Sequence, residues 1–289
     1  MVEQIVYLNG EFVPLAEAKV PVLDRGFIFG DGVYEVIPAY GRVLFRLDEH
    51  LARLEHSLTA TRIANPHDAA TWRKLLETVV ARNPWDDQSV YLQVTRGVAP
   101  RTQEFPKGDV RPTVFVMSSP LKMPSPEQRA NGVAVVTRED YRWRRCDIKS
   151  VSLLANCLLR QEAEDAGAVE TVLIRDGNVK EASTCNVLLV KGGVILVPPK
   201  DHLILHGITF DLALELAREA GLRLQTREVK RAELYSADEV WLSSSAREIL
   251  PVVTVDGKRV GTGKPGPIYA RMHQLFQDYK ARTRAAAHA

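Results

Sequence analysis

The apolar stretch Val2–Leu8, the pair Asn9-Gly10 and Glu11–Pro14 read as a β-hairpin, because Asn-Gly accepts the positive φ angles of a tight turn. Val33–Ala39 is rich in strand-forming residues, and Gly41 separates it from Val43–Phe45. At Leu47 the period changes: Leu47, Leu51, Leu54 and Leu58 form one apolar stripe of a helix. A second helix is predicted over Asp68–Ala81, then strands at Ser89–Thr95 and Pro112–Met117. Leu121–Pro126 holds two prolines in six residues and is the expected linker. It divides an N-terminal α/β domain (residues 1–120) from a C-terminal one (127–289).

Beyond the linker the pattern restarts with a strand at Val133–Thr137, a helix at Val151–Ala166 and a strand at Thr171–Arg175. Asp176-Gly177 turns into Val179–Ala182, and Gly192-Gly193 separates Asn186–Val190 from Val194–Val197. A helix over Thr209–Ala220 ends at Gly221, a favoured residue just past a helix end. Strands at Glu239–Ser243 and Val252–Val255 and a helix after Pro267 follow, with a frayed Ala-rich tail after Arg282. Strands and helices mixed with frequent hairpins predict an α+β fold rather than a doubly wound parallel sheet.

Composition narrows the function classes. The 289 residues carry a net charge of +2, which gives no reason to expect nucleic acid or an anionic membrane as partner. No apolar run approaches the roughly 20 residues of a membrane span. Cys146, Cys157 and Cys185 cannot all pair and lack metal-type spacing, so no metal is expected and a reduced, cytoplasmic setting is the default.

Chemistry starts from lysine, since imine formation needs an amine nucleophile. Lys149 follows three arginines (Arg142, Arg144 and Arg145), cations that favour a neutral amine, although by itself this is a solvated basic loop. Glu181 sits among small polar residues in Lys180-Glu181-Ala182-Ser183-Thr184-Cys185-Asn186, where an acid is more often an edge-strand residue. Arg53 lies next to Leu54 and alone reads as a solvated helix face. His206-Gly207-Ile208-Thr209 opens a helix, and Ser243-Ser244-Ser245 follows a strand; both suit a phosphate group.

The order of these motifs resembles the fold-type IV family of pyridoxal-phosphate enzymes, and within it the bacterial D-amino-acid transaminases. The resemblance covers roughly Ile5 to Tyr279. It is strongest at Asp24–Val36, Gln93–Gly97 with Pro100-Arg101, Trp143–Ser150, Glu181–Asn186, His206–Asp211 and Ser243–Pro251. It implies two α/β domains joined by a short linker and a bound pyridoxal 5'-phosphate, with Lys149 as the Schiff-base lysine and general acid/base. Glu181 would pair with the pyridine nitrogen. Arg53, the Ile208 and Thr209 amides, Ser244 and Ser245 would hold the phosphate, with Leu205 under the ring.

The family's α-carboxylate trap implies Tyr34 and Arg101, and at the position of the family's histidine this chain has Gln103. Glutamine donates a hydrogen bond but carries no charge, so a weaker trap is expected. Asp24-Arg25-Gly26 is read as a buried ion pair shaping the loop before Tyr34, and Arg96 as structural.

The implied activity is transamination between a D-amino acid of the D-alanine or D-glutamate type and a 2-oxo acid, ping-pong through pyridoxamine phosphate, in a homodimer whose site is shared. The alternatives are a branched-chain L-amino-acid or (R)-amine transaminase, an aminodeoxychorismate lyase, a non-catalytic pyridoxal-phosphate-binding protein and a plain structural domain.

Overall fold

The computed structural model describes residues 3–286. Val2, expected at the start of the first strand, lies outside them. The chain forms two compact units. The first comprises the described residues up to Lys122, Ile148–Leu153 and those from Thr283 on; the second comprises Met123–Asp147 and Leu154–Arg282. The sequence reading placed Lys149 in the C-terminal domain. Its segment clusters instead with the first unit, because its backbone is bonded there: Tyr34 N donates to the Lys149 carbonyl at 2.9 Å and Val151 N to the Gly32 carbonyl at 3.1 Å.

The first unit holds strands β1 (Ile5–Leu8), β2 (Glu11–Pro14), β3 (Gly32–Tyr40), β4 (Val43–Leu44), β5 (Gln88–Thr95) and β6 (Thr113–Pro120), and helices α1 (Arg25–Phe29), α2 (Leu47–Thr61) and α3 (Ala69–Arg82). The strands form one antiparallel sheet in the order β2-β1-β6-β5-β3-β4. The expected hairpin joins β1 to β2, with Asn9 and Gly10 both at positive φ. The leucine stripe of α2 is buried and packs with Val33 and Ile37 of β3, Trp72, Leu76 and Val79 of α3 and Val90, Leu92 and Val94 of β5. Asp68 caps α3 by accepting from Thr71 N at 2.7 Å.

In the second unit lie α4 (Pro126–Asn131), β7 (Val133–Glu139), α5 (Leu154–Asp165), β8 (Glu170–Arg175), β9 (Asn178–Ala182), β10 (Asn186–Lys191), β11 (Val194–Val197), α6 (Ile208–Glu219), β12 (Arg223–Thr226), β13 (Val229–Lys230), α7 (Arg231–Leu234), β14 (Glu239–Ser244), β15 (Glu248–Val255), β16 (Lys258–Arg259) and α8 (Pro267–Ala286). The sheet order is β12-β11-β10-β14-β15-β7-β8-β9-β13, with β16 beside β15. The β11/β12, β15/β7 and β7/β8 pairs are parallel and the others antiparallel, so the sheet is mixed, not the all-parallel sheet of a doubly wound fold.

Four expectations need correction. Pro126 belongs to α4, a helix whose Ser125/Gln128 capping box the linker reading overlooked. Helix α5 begins at Leu154, not Val151, because Ser150 bridges Val33 and Val151 bonds Gly32, which holds that stretch extended. The chain remains helical through Ala286; the rest of the tail expected to fray lies outside the described residues. Finally, Asp24 and Arg25 are both buried but do not pair with each other. Arg25 Nε bonds Asp31 at 2.8 Å, while Asp24 caps α1 through Gly26 N and accepts the Thr95 and Thr113 hydroxyls.

Candidate active site

In the first unit the site is built on β3 and α2. Alternation along β3 turns Val33, Glu35 and Ile37 into the core and Tyr34 to the other face, where its ring lies 5.7 Å from that of Tyr91. Lys149 is gripped through its backbone on both sides. Its carbonyl accepts from Tyr34 N, and its own N donates to Ser57 Oγ on α2 at 3.2 Å. Its Nζ lies 4.3 Å from the centre of the Tyr34 ring. The basic-loop reading of this segment placed three arginines beside the amine. Two of them serve nearby acids: Arg142 pairs with Asp140 and Glu181, and Arg145 with Asp147.

Arg53 is not on a solvated face: it is 9% exposed. Its Nε donates to Glu35 Oε1 and its Nη2 to Glu35 Oε2, both at 2.7 Å, a bidentate pair that fixes the guanidinium plane. His50, one turn earlier on α2, reaches Glu35 Oε2 through Nδ1 at 2.8 Å. Burial pushes the Glu35 carboxyl up, but Arg53 and His50 outweigh it and hold it at about 2. Burial moves His50 below its ordinary value, so at neutral pH it is an uncharged donor to Glu35. The sequence reading missed Glu35, His50 and Ser57. For His50 and Ser57 the signal was polar residues at helical spacing (50, 53, 57) flanking a leucine stripe; Glu35 stands within the Asp24–Val36 motif.

The second unit presents a different carboxylate. Glu181, near the end of β9, is buried. Its Oε1 accepts from Arg142 Nη1 at 2.7 Å; its Oε2 accepts from Leu205 N at 3.0 Å and Asn186 Nδ2 at 3.4 Å. Arg142 spends its other donors on Asp140, which also pairs with Arg175 at 3.0 Å. The result is a buried row of alternating charge, Glu181–Arg142–Asp140–Arg175. Burial raises the Glu181 carboxyl above the ordinary carboxylate value, against the pull of Arg142 and the Leu205 amide.

Leu205, half-buried, is tied to Glu181 through its amide and to Asn186 through its carbonyl, which accepts Asn186 Nδ2 at 2.9 Å. Gly207 is the N-cap of α6, and no side chain caps that end. A Cβ at Gly207 would overlap Asn186 Oδ1, so only glycine lets the helix start here. Ile208 and Thr209, both buried, form the first turn.

Ser244 closes β14 and Ser245 enters the turn to β15, both half-buried. Behind them Glu170, fully buried on β8, accepts the Ser183 and Thr184 hydroxyls and lies 3.6 Å from Arg247. It thereby ties the strap after Glu181 to the turn carrying Ser245. Asn186, Arg142, Asp140 and Glu170 are not assigned from sequence, although Asn186 ends the Glu181–Asn186 motif.

Arg101 and Gln103 lie in an irregular loop of the first unit, both side chains exposed. The Arg101 guanidinium sits 5.5 Å from the Phe29 ring, and the Gln103 carbonyl faces Arg25. Among the described residues, no group of three or more His, Cys, Asp or Glu could hold a metal ion. No helix there is long and apolar enough to cross a membrane.

Residues 32–255, spanning both Lys149 and Glu181, match the family model of class IV amino-transferases. The chain belongs to that family. Its sequence is 42% identical to a D-alanine aminotransferase of Bacillus licheniformis over 94% of this chain and 96% of the relative. Among solved structures, the fold is similar to a T.th. branched-chain amino acid aminotransferase with pyridoxamine 5'-phosphate. The TM-score is 0.89 at 27% identity, covering 96% of this chain and 94% of that one. It is similar also to a fold IV transaminase of Curtobacterium pusillum, with a TM-score of 0.80 at 26% identity over 95% and 98% of the two chains. The class IV aminotransferase fold accounts for both units of the chain.

Proposed function

We propose that this class IV aminotransferase transfers the amino group of a D-amino acid to a 2-oxo acid, with pyridoxal 5'-phosphate as cofactor. One observation supports this most directly: a lysine pinned through its backbone by β3 and α2, with its amine over the Tyr34 ring. The other groups fit the cofactor. An uncapped helix start with glycine at its cap suits a phosphate, as do the nearby hydroxyls. A carboxylate raised by burial gains from a cationic neighbour such as a protonated ring nitrogen.

When bound, the cofactor supplies an aldehyde and a ring that accepts the electrons left at Cα. Lys149 would hold it covalently through Nζ, and once released that amine would take and return the substrate Cα proton. Glu181 would keep a proton on the ring nitrogen, its orientation set by Arg142, Leu205 and Asn186. Arg53, the Ile208 and Thr209 amides, Ser244 and Ser245 would grip the phosphate, and Leu205 would pack under the ring. Tyr34, Arg101 and Gln103 would receive the substrate carboxylate.

The protein would work as a cytoplasmic homodimer in which Arg101 serves the neighbouring subunit's site. Val22 (72%) and Phe27 (76%), with Val20 and Leu23, are exposed apolar residues of the first unit that such an interface would cover. The free cysteines fit a reducing compartment.

The likeness to branched-chain aminotransferases favours L-leucine as a second reading. Steady-state rates with D-alanine, L-leucine and (R)-1-phenylethylamine decide between them, and D-alanine is expected to lead. A hydrogen bond to a charged group contributes about 1.5–3 kcal/mol, so Arg101→Ala should cost D-alanine roughly ten- to a hundredfold in kcat/KM. Preference for L-leucine, or an indifferent Arg101→Ala, overturns the D-specific reading. Borohydride reduction should fix the cofactor on the Lys149 peptide.

A further inference from the structure

The loop carrying Arg101 and Gln103 has no regular secondary structure, yet charged groups of its own unit grip it from two sides. Arg25, 3% exposed, donates through Nη1 to the Thr102 carbonyl at 2.6 Å and the Glu104 carbonyl at 3.4 Å, and through Nη2 to the Gln103 carbonyl at 3.4 Å. One guanidinium thus faces three consecutive carbonyls of the loop. Its Nε is spent on Asp31 at 2.8 Å.

Asp31 in turn receives Arg96 on both oxygens, at 2.8 and 3.0 Å. Arg96 also donates to the Thr61 and Arg62 carbonyls at the end of α2, both at 2.8 Å, and its guanidinium carbon lies over the Phe105 ring of the loop, 3.7 Å from its centre. Arg62 stands 5.2 Å from the same ring. The base of this assembly is fixed. Asp24 locks the start of α1 to β5 and β6 through the two threonine hydroxyls, and Arg25 N donates to the Gly97 carbonyl at 2.9 Å.

We propose that Arg25, Asp31 and Arg96 are positioning residues that set the pose of the 101–105 loop, and with it the reach of Arg101 and Gln103 toward the substrate carboxylate. None of the three need touch substrate. Arginine is required at position 25 because a planar fork can serve Asp31 and the loop carbonyls together, whereas a lysine ammonium is a single point donor on a flexible stem. The grip is on the loop's carbonyls, and the Arg101 and Gln103 side chains are exposed. The substrate consequence rests on the function proposed above; the pose of the loop does not.

Two measurements on the holoenzyme separate these. Amide hydrogen exchange between Arg101 and Phe105 should speed up in Arg25→Met. It should do so too in Phe105→Ala, an exposed position that loosens the other anchor without touching the buried cluster. Arg25→Lys should restore little of the protection. Kinetically, Arg25→Met should raise KM for D-alanine about tenfold with kcat little changed, as for loss of binding common to ground and transition states. Cofactor affinity should hold. Added to Arg101→Ala, the same substitution should cause much less than its roughly tenfold effect, because only the Gln103 contribution is left for it to remove. Unchanged exchange in both variants overturns the proposal whatever the substrate. So do losses at Arg25 and Arg101 that multiply. If the wild type does not use D-alanine while exchange still rises, the functional reading has failed and the positioning role stands.

Discussion

Glu35 and Glu181 are both buried glutamates beside an arginine, and their acidities move in opposite directions. The difference lies in how the arginine is shared. Arg53 gives Glu35 two of its bonds, and His50 adds a third. Arg142 gives Glu181 one bond and Asp140 two, so Glu181 shares its cation with a second carboxylate that itself disfavours ionisation. Burial penalises a charge in both places; only the first pairing, with two arginine bonds and a histidine bond on one carboxylate, outweighs it. Glu35 is thereby a structural anion that orients Arg53, whereas Glu181 is an incompletely compensated one that a cationic ring nitrogen would complete.

Swapping each carboxylate for its amide tests this contrast, and the largest effect should be catalytic. Glu181→Gln should slow the single-turnover proton-transfer half-reaction roughly 10²–10³-fold, the size expected on removing one group aimed at developing charge, while cofactor still binds. An unchanged rate would erase the functional half of the comparison. The next effect is on stability. Glu35→Gln leaves Arg53 buried without its counter-charge and should cost about 3 kcal/mol, lowering the melting temperature of the cofactor-free protein by roughly 6–10 °C. Glu181→Gln leaves Arg142 paired with Asp140 and should change stability by less than about 1 kcal/mol. Equal melting shifts for the two variants would show that the arginines are not shared as described.

The smallest effect is one of pH. Glu35 is held at about 2, below its ordinary value of 4.5, so the unfolded chain binds the proton more readily than the native one. Its stabilisation is full above about 4.5 and fades as pH falls toward 2. The melting gap between wild type and Glu35→Gln should therefore be constant near neutrality and close in acid. Glu181 is raised, so its native state binds the proton more readily, and its contribution weakens as pH rises through the native value. The gap between wild type and Glu181→Gln should move the opposite way. Melting curves between pH 3 and 8 read both slopes.

Much of this molecule is legible in its sequence. The Asn9-Gly10, Asp176-Gly177 and Gly192-Gly193 turns take positive φ because few residues tolerate it, and the leucine stripe of α2 is buried because its spacing permits one buried face. Such features follow from short-range sterics and periodicity, which a sequence carries locally. The order of motifs sufficed for the family. Partner choice was not legible. Arg25 stands next to Asp24 in sequence and pairs with Asp31; the Lys149 segment lies beyond the linker and bonds to β3; Glu35 and Glu181 look alike as letters and differ by the company of Arg53 and Arg142. A buried charge is settled by whichever opposite charge and donors the distant chain delivers within hydrogen-bonding reach, and by how many others share them. Sequence determined the elements and the chemistry carried on them, while tertiary structure alone decided which buried acid is fully compensated by its arginine and which is not.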